Sequence, residues 1–194
     1  MIIGSAIRPI GGEFHCGDAA KWWMDGPNWT LCLADGLGHG RDAADAARAA
    51  LTHAELCRSL PPAAMLEEID RKIRDTRGCA MTIIQLDSEA RTLCHAGIGN
   101  VRAGLFGERS FRFEGTPGIV GGRIRQPQTV EANWMNGDVL VIWTDGLATS
   151  LTLAEDCLRL KADPDRLAHR LLVRFETPRD DAGVLCCYLE SDGA

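Results

Sequence analysis

Aspartates at the ends of apolar runs are the residues of this chain best placed to do chemistry. Leu31–Gly36 reads L-C-L-A-D-G and Val139–Gly146 reads V-L-V-I-W-T-D-G. Each is rich in strand formers and ends in Asp-Gly. A third segment reverses the order, with Asp180-Asp181 preceding V-L-C-C-Y-L at 184–189. A Gly17-Asp18 pair lies upstream. If the third strand runs antiparallel to the other two, these carboxylates collect at one edge of one sheet. Clustered carboxylates repel unless protons or cations lie between them. Hard oxygen donors of this kind suit magnesium or manganese. One Asp-Gly after a strand is ordinarily a turn, because Asp bonds nearby backbone and Gly permits positive φ. Two after strong strands, with Asp18 and the Asp pair besides, point to a metal centre. Gly also lets a backbone carbonyl approach a cation, so Gly36 is a candidate oxygen donor.

The elements that must position these residues follow from periodicity and punctuation. Strands are expected at Ile2–Ile10, in the region Glu13–Met24, and at Trp29–Ala34. A helix from Arg41 to about Leu60 places Ala43, Ala47, Ala50, Ala54 and Cys57 on one stripe, with Asp42 and Asp45 in its first turn, where the helix dipole favours acids. Pro61-Pro62 opens a second helix lined by Met65, Leu66, Ile69 and Ile73. Short strands follow at Ala80–Leu86, Thr92–His95, Val101–Leu105, Phe111–Phe113 and Ile124–Val130. Val139–Thr144 is the most apolar strand and is expected to be central. Asp163-Pro164 starts a helix with Leu167, Leu171 and Phe175 inside, and Val184–Leu189 is the last strand. Grouped helices among many strands favour an antiparallel α+β sandwich over a doubly wound sheet.

Composition narrows the partners. The chain has 194 residues, 45% hydrophobic and 25% charged, with a net charge of −6. That length favours a single domain, 1–194, able to bury a core without staples. The acidic balance argues against nucleic acid and against an anionic membrane surface. The N-terminus has no signal-peptide pattern and no run of about eighteen apolar residues exists. The eight cysteines form no C-x-x-C pair, so they are expected to be reduced core residues of a cytoplasmic protein.

Other candidates are weaker. His39, in the loop after Asp35, could give a proton to a leaving group, although an exposed loop histidine is the plainer reading. His95 belongs to a strand. Gly97-Ile98-Gly99-Asn100 lacks the following helix of a phosphate loop and reads as a turn. Thr116–Gly122 is expected to be a loop near the site. Trp22, Trp23 and Trp29 are expected to pack in the core or at a sheet edge.

The constellation resembles the metal-dependent serine/threonine phosphatases of the protein phosphatase type 2C superfamily, and within it the small bacterial SpoIIE/RsbX-like branch. The matching segments are G-D (17–18), A-D-G-L-G-H-G (34–40), G-I-G-N-V (97–101), T-P-G-I-V-G (116–121), G-D-V-L-V-I-W-T-D-G-L (137–147) and D-D-A-G-V-L (180–185), in the family's order across nearly the whole chain. The resemblance implies a four-layer α/β/β/α sandwich, two antiparallel sheets flanked by helices, with two Mn²⁺ or Mg²⁺ ions at one end. It implies that Asp35 bridges both ions, that the Gly36 carbonyl binds one, and that Asp145 and Asp180 hold the other. Asp35 and Asp145 are then the residues on which turnover depends. Asp18 matches the first acidic position, binding directly or through water, and Asp181 is either a supporting group or a solvated strand-start acid.

The implied reaction is hydrolysis of a phosphoserine or phosphothreonine by direct attack of water on phosphorus, without a phosphoenzyme. No cluster of arginines is visible, so positive charge for the phosphate dianion must come from metals. The implied partner is a phosphorylated STAS-domain or anti-sigma-antagonist protein of a stressosome or partner switch. One departure stands out: the family usually has Thr or Ser two residues after the Asp pair, and this chain has Gly183. Two rival readings remain, a partner-binding pseudophosphatase and a hydrolase of a small phosphoester.

Overall fold

The computed structural model describes residues 1–108, 110–154 and 159–190. Cys157 lies outside the described residues. In chain order the elements are β1 (Ile2–Arg8), β2 (Asp18–Asp25), β3 (Asn28–Gly36), α1 (Arg41–Leu56), α2 (Pro62–Lys72), β4 (Cys79–Asp87), β5 (Thr92–Ile98), β6 (Arg102–Phe106), β7 (Phe111–Phe113), β8 (Thr129–Asn133), β9 (Val139–Trp143), α3 (Pro164–Phe175) and β10 (Ala182–Tyr188). The strands form two five-stranded sheets, ordered β1-β10-β9-β6-β7 and β2-β3-β4-β5-β8, and every pairing is antiparallel.

The strands read as continuous apolar runs because both faces of each sheet are covered. Along β3, Leu31 and Leu33 point between the sheets while Cys32 and Ala34 face α1 and α2. Along β9, Leu140 and Ile142 point between the sheets while Val141 and Trp143 face α3. The layers are therefore α/β/β/α, as the resemblance implies. α1 packs its alanine stripe (Ala43, Ala47, Ala50, Ala54) with no exposed surface, and small side chains let the helix axis come close to β3. α3 is capped by Asp163, whose side chain accepts from the Arg166 amide at 3.2 Å.

Several expected boundaries shift. Residues 9–17 are a loop rather than the start of β2. α1 stops at Leu56, short of Leu60. The strand expected at Ile124–Val130 begins only at Thr129, because 121–124 are tied as a loop to Asp70. The larger correction concerns the sheets. β9 and β10 are antiparallel neighbours, as expected, but β3 belongs to the other sheet. The aspartates therefore gather across the mouth between two sheets and not along the edge of one.

Candidate metal centre

Asp18 opens β2 and Asp35 lies near the end of β3, where the two are directly paired in register. Directly opposed residues share a face. The alternation that sends Leu31 and Leu33 between the sheets sends Asp35 there too. From the other sheet, Asp145 follows β9 and Asp180-Asp181 precede β10. The antiparallel pairing brings those two strand ends together, with the Thr144 amide donating to the Gly183 carbonyl at 3.0 Å.

Thr144 ties the sheets to each other. Its hydroxyl donates to Asp18 Oδ2 at 2.7 Å and accepts from the Gly183 amide at 2.9 Å. The departure at Gly183 has a physical reason here, since a Cβ at that position would sit 3.1 Å from Asp18 Oδ2. Thr144 supplies a hydroxyl at this junction. Gly36 is required for another close approach: a Cβ there would lie 2.0 Å from the Ala43 carbonyl oxygen, in the first turn of α1.

Asp181 is buried and holds the loop before β2. Its two oxygens accept from the amides of Ile10 and Gly17, each at 2.8 Å. The reading as a solvated acid is thereby excluded. Arg8 donates to the Asp180 carbonyl at 3.2 Å and steadies the loop that carries that residue.

Electrostatics single out two of the acids. Burial pushes Asp18 up to about 7, and Asp181, Asp145 and Asp180 add to the shift while the Thr144 hydrogen bond opposes it. Burial pushes Asp35 up to about 9, with Asp18, Asp145, Asp180 and Asp181 all contributing. Burial also raises Asp180, with Asp145 and Asp181 adding. Among the described residues, no lysine or arginine forms an ion pair with any of the five. Asp18 Oδ1 is buried with no hydrogen-bond partner. A buried, unpaired carboxylate oxygen costs free energy unless a cation or proton meets it. A divalent cation therefore fits the chemistry of this donor set. Among the described residues, no three His, Cys, Asp or Glu side chains are already gathered into a cage. Magnesium, which keeps several waters and takes one or two carboxylates, has the oxygen preference that such acids meet.

Asn100 and Thr144 have roles that sequence spacing does not announce. Asn100, taken as part of a turn, donates its amide to Asp145 Oδ2 at 2.6 Å. Thr144 was seen only as the end of a strand. His39 pairs through Nδ1 with Glu13 at 3.0 Å and lies near enough to Asp180 to favour its charged form. Contacts across sheets leave no signature in sequence spacing. His95 is a buried strand residue against Phe113, as expected, with ring centroids 5.1 Å apart; neither of its ring nitrogens has a partner, and burial pushes it down to about 4. Of the tryptophans, Trp23 packs against the α1 layer and Trp29 against the inter-sheet core.

Residues 25–190 match the family described as Stage II sporulation protein E (SpoIIE). The chain belongs to the SpoIIE family. It is also 28% identical over 138 residues, 70% of this chain and 69% of the relative, to phosphoserine phosphatase RsbX of Bacillus subtilis (strain 168). A solved structure concerning the bacterial stressosome, a modular system adapted to control secondary messenger signaling, superposes with a TM-score of 0.87 at 25% identity over 95% of this chain and 97% of that one. The structure of RsbX in complex with magnesium gives 0.79 at 23% identity, covering 94% and 92%. This SpoIIE-family chain has the same antiparallel two-sheet sandwich as those two solved structures.

Proposed function

We propose that the chain dephosphorylates phosphoserine or phosphothreonine on a STAS-domain or anti-sigma-antagonist protein of a partner switch, resetting it after a kinase has acted. The kinship with RsbX and with a stressosome structure supports that choice of partner. The observation that carries the site is the cross-strand pair Asp18–Asp35, both raised and neither met by a protein cation.

In this reading Asp35, the Gly36 carbonyl, Asp145 and Asp180 would hold two Mn²⁺ or Mg²⁺ ions, with Asp18 joining directly or through water. Two such ions would supply the charge that binds a phosphate dianion and would lower the pKa of an attacking water. The chain's own residues do the positioning. Thr144 holds Asp18 and Asn100 holds Asp145 by hydrogen bonds, which orient carboxylates that would bind the ions. Asp181 orients backbone, each of its oxygens accepting one amide. His39, held by Glu13 in the exposed loop after Asp35, would be the residue to hand a proton to the departing serine or threonine oxygen.

Residues 1–194 are read as one catalytic domain, supported by the single sandwich that the described residues form. Residence in the cytoplasm is supported by the seven described cysteines, all free; no described helix is long and apolar enough to cross a membrane. The test is phosphate release from p-nitrophenyl phosphate and from a phosphorylated STAS-domain protein, with and without millimolar Mn²⁺. Metal-dependent release from both supports the proposal. Release from the aryl phosphate alone would favour a small phosphoester, and metal-independent rates would overturn the assignment of the site.

A further inference from the structure

The sequence shows no arginine cluster, but the fold builds one beside the carboxylates. Two segments meet there, the 73–78 link between α2 and β4 and the 116–125 loop between β7 and β8. Buried Asp70 joins them: its Oδ1 accepts from the amides of Gly121, Arg123 and Ile124 at 2.9, 3.0 and 3.2 Å, and its Oδ2 accepts from Arg74 at 3.1 Å. Cys79 and Val120 exchange backbone hydrogen bonds of 3.0 and 2.9 Å. Arg74, Arg77, Arg123 and Arg125 thus come from two distant stretches of sequence to adjoining positions, all exposed.

Two of the four are already neutralised, Arg74 by Asp70 and Arg77 by Asp42 at 2.7 Å. Asp75 is the other acid on the link. Among the described residues, the side chains of Arg123 and Arg125 make no ion pair. Both line a groove of about 510 Å³ together with Thr116, Pro117, Gly118 and the exposed Ile119. The groove's surroundings are tied at two points to segments that lead to the carboxylates. At one end the Gly99 amide donates to the Thr116 carbonyl at 2.9 Å, and the next residue, Asn100, holds Asp145. At the other, Gly78, against which Ile119 packs, accepts from the amide of Leu37, two residues beyond Asp35, at 3.0 Å.

We infer that this groove is a docking subsite for an extended acidic segment next to the phosphorylated residue, Arg123 and Arg125 pairing with its carboxylates and Ile119 giving an apolar contact. The inference rests on the phosphatase reading for what is delivered to the site. A net charge of −6 would by itself repel an acidic partner. Charges are screened beyond about 8 Å at physiological salt, so a segment lying in the groove feels the two guanidiniums more than the distributed excess. Local complementarity of this kind sets partner choice more than total charge does.

The experiment compares two fluorescent phosphoserine peptides, one flanked by Asp and Glu and one by Lys, for hydrolysis with Mn²⁺ and for binding by anisotropy. The acidic peptide is expected to bind and react roughly three- to thirtyfold better through KM, the range two exposed ion pairs produce, and the preference falls as salt rises. Arg123→Glu with Arg125→Glu abolishes or inverts the preference while p-nitrophenyl phosphate hydrolysis is unchanged. Arg123→Lys with Arg125→Lys retains it. The Asp70 cradle uses backbone amides, so these variants keep the loop, which thermal melting checks. Absence of an acidic preference, or its survival in the charge-reversed protein, overturns the inference. A binding preference without hydrolysis of any substrate would instead remove the phosphatase reading and leave the groove standing.

Discussion

β2 carries an aspartate at each end, and the two meet opposite environments. Asp25, at the solvent end, is exposed and gripped by Arg58 through contacts of 2.7 and 3.2 Å, whose hydrogen bonds hold its carboxyl below the usual range. Asp18, at the other end of the same strand, is buried, faces four further acids and has one oxygen without a partner. A groove of about 1020 Å³ opens at the Asp25 end, lined among others by Glu55, Asp87 and Glu131. There Glu55 is met by Lys21 and Asp87 accepts from the amides of its own turn. Acidic residues alone do not make a centre. What separates the ends is whether the protein supplies its own counter-charge, and at Asp18 it does not.

The largest test of that contrast is Asp35→Asn, which should lower metal-dependent turnover by more than the roughly 10–100-fold that supporting residues cost. The fold should survive it, because the substitution relieves repulsion. Unchanged turnover would erase the distinction between the two ends. Thr144→Val, which keeps the side chain's shape, should weaken Mn²⁺ binding in calorimetry by about 10–100-fold, since Asp18 loses its anchor. A variant that binds Mn²⁺ as tightly as the parent would show that Asp18 needs no such support.

A smaller effect concerns pH. Asp18 and Asp35 have an ordinary value of 3.8 and are raised to about 7 and about 9 in the folded chain. The folded state therefore holds more protons than the unfolded one between these values, and stability falls as pH rises through that window. With chelator present, the melting temperature should drop steadily from pH 6 to pH 9, by at least the 2–4 °C that roughly 1 kcal/mol gives in a chain of this size. Saturating Mn²⁺ should flatten the dependence, because metal replaces the proton. A chelated protein insensitive to pH would mean the acids are already compensated. The smallest effect belongs to Asp25→Asn, expected to leave Mn²⁺ affinity and turnover unchanged.

Much of this was legible in the residues. The apolar runs ending in Asp, the alanine stripe of α1 and the Asp163-Pro164 start each reflect local chemistry that survives folding. Which sheet β3 joins did not reflect anything local, because sheet membership is decided by which faces must be covered. The roles of Thr144, Asn100 and Asp181 were hidden for a related reason: each acts on a residue far away in sequence, and spacing carries no trace of such contacts. The arginine cluster was invisible on the same ground, since its halves meet through Asp70 and the Cys79–Val120 backbone pair.

The pairing of β1 with β10, from Ile2↔Tyr188 to Arg8↔Ala182, has a consequence for how the chain comes into being. During synthesis the sheet β2-β3-β4-β5-β8 can close from the hairpins β2-β3 and β4-β5 once β8 has emerged, whereas β1 must wait for the last strand. Contacts of such long range are slow to form. Asp145, Asp180 and Asp181 ride on that late sheet, and Asp18 and Asp35 on the early one. The mouth that gathers them is therefore among the last features to assemble, and a newly made chain gains its capacity for metal only when its final strand docks.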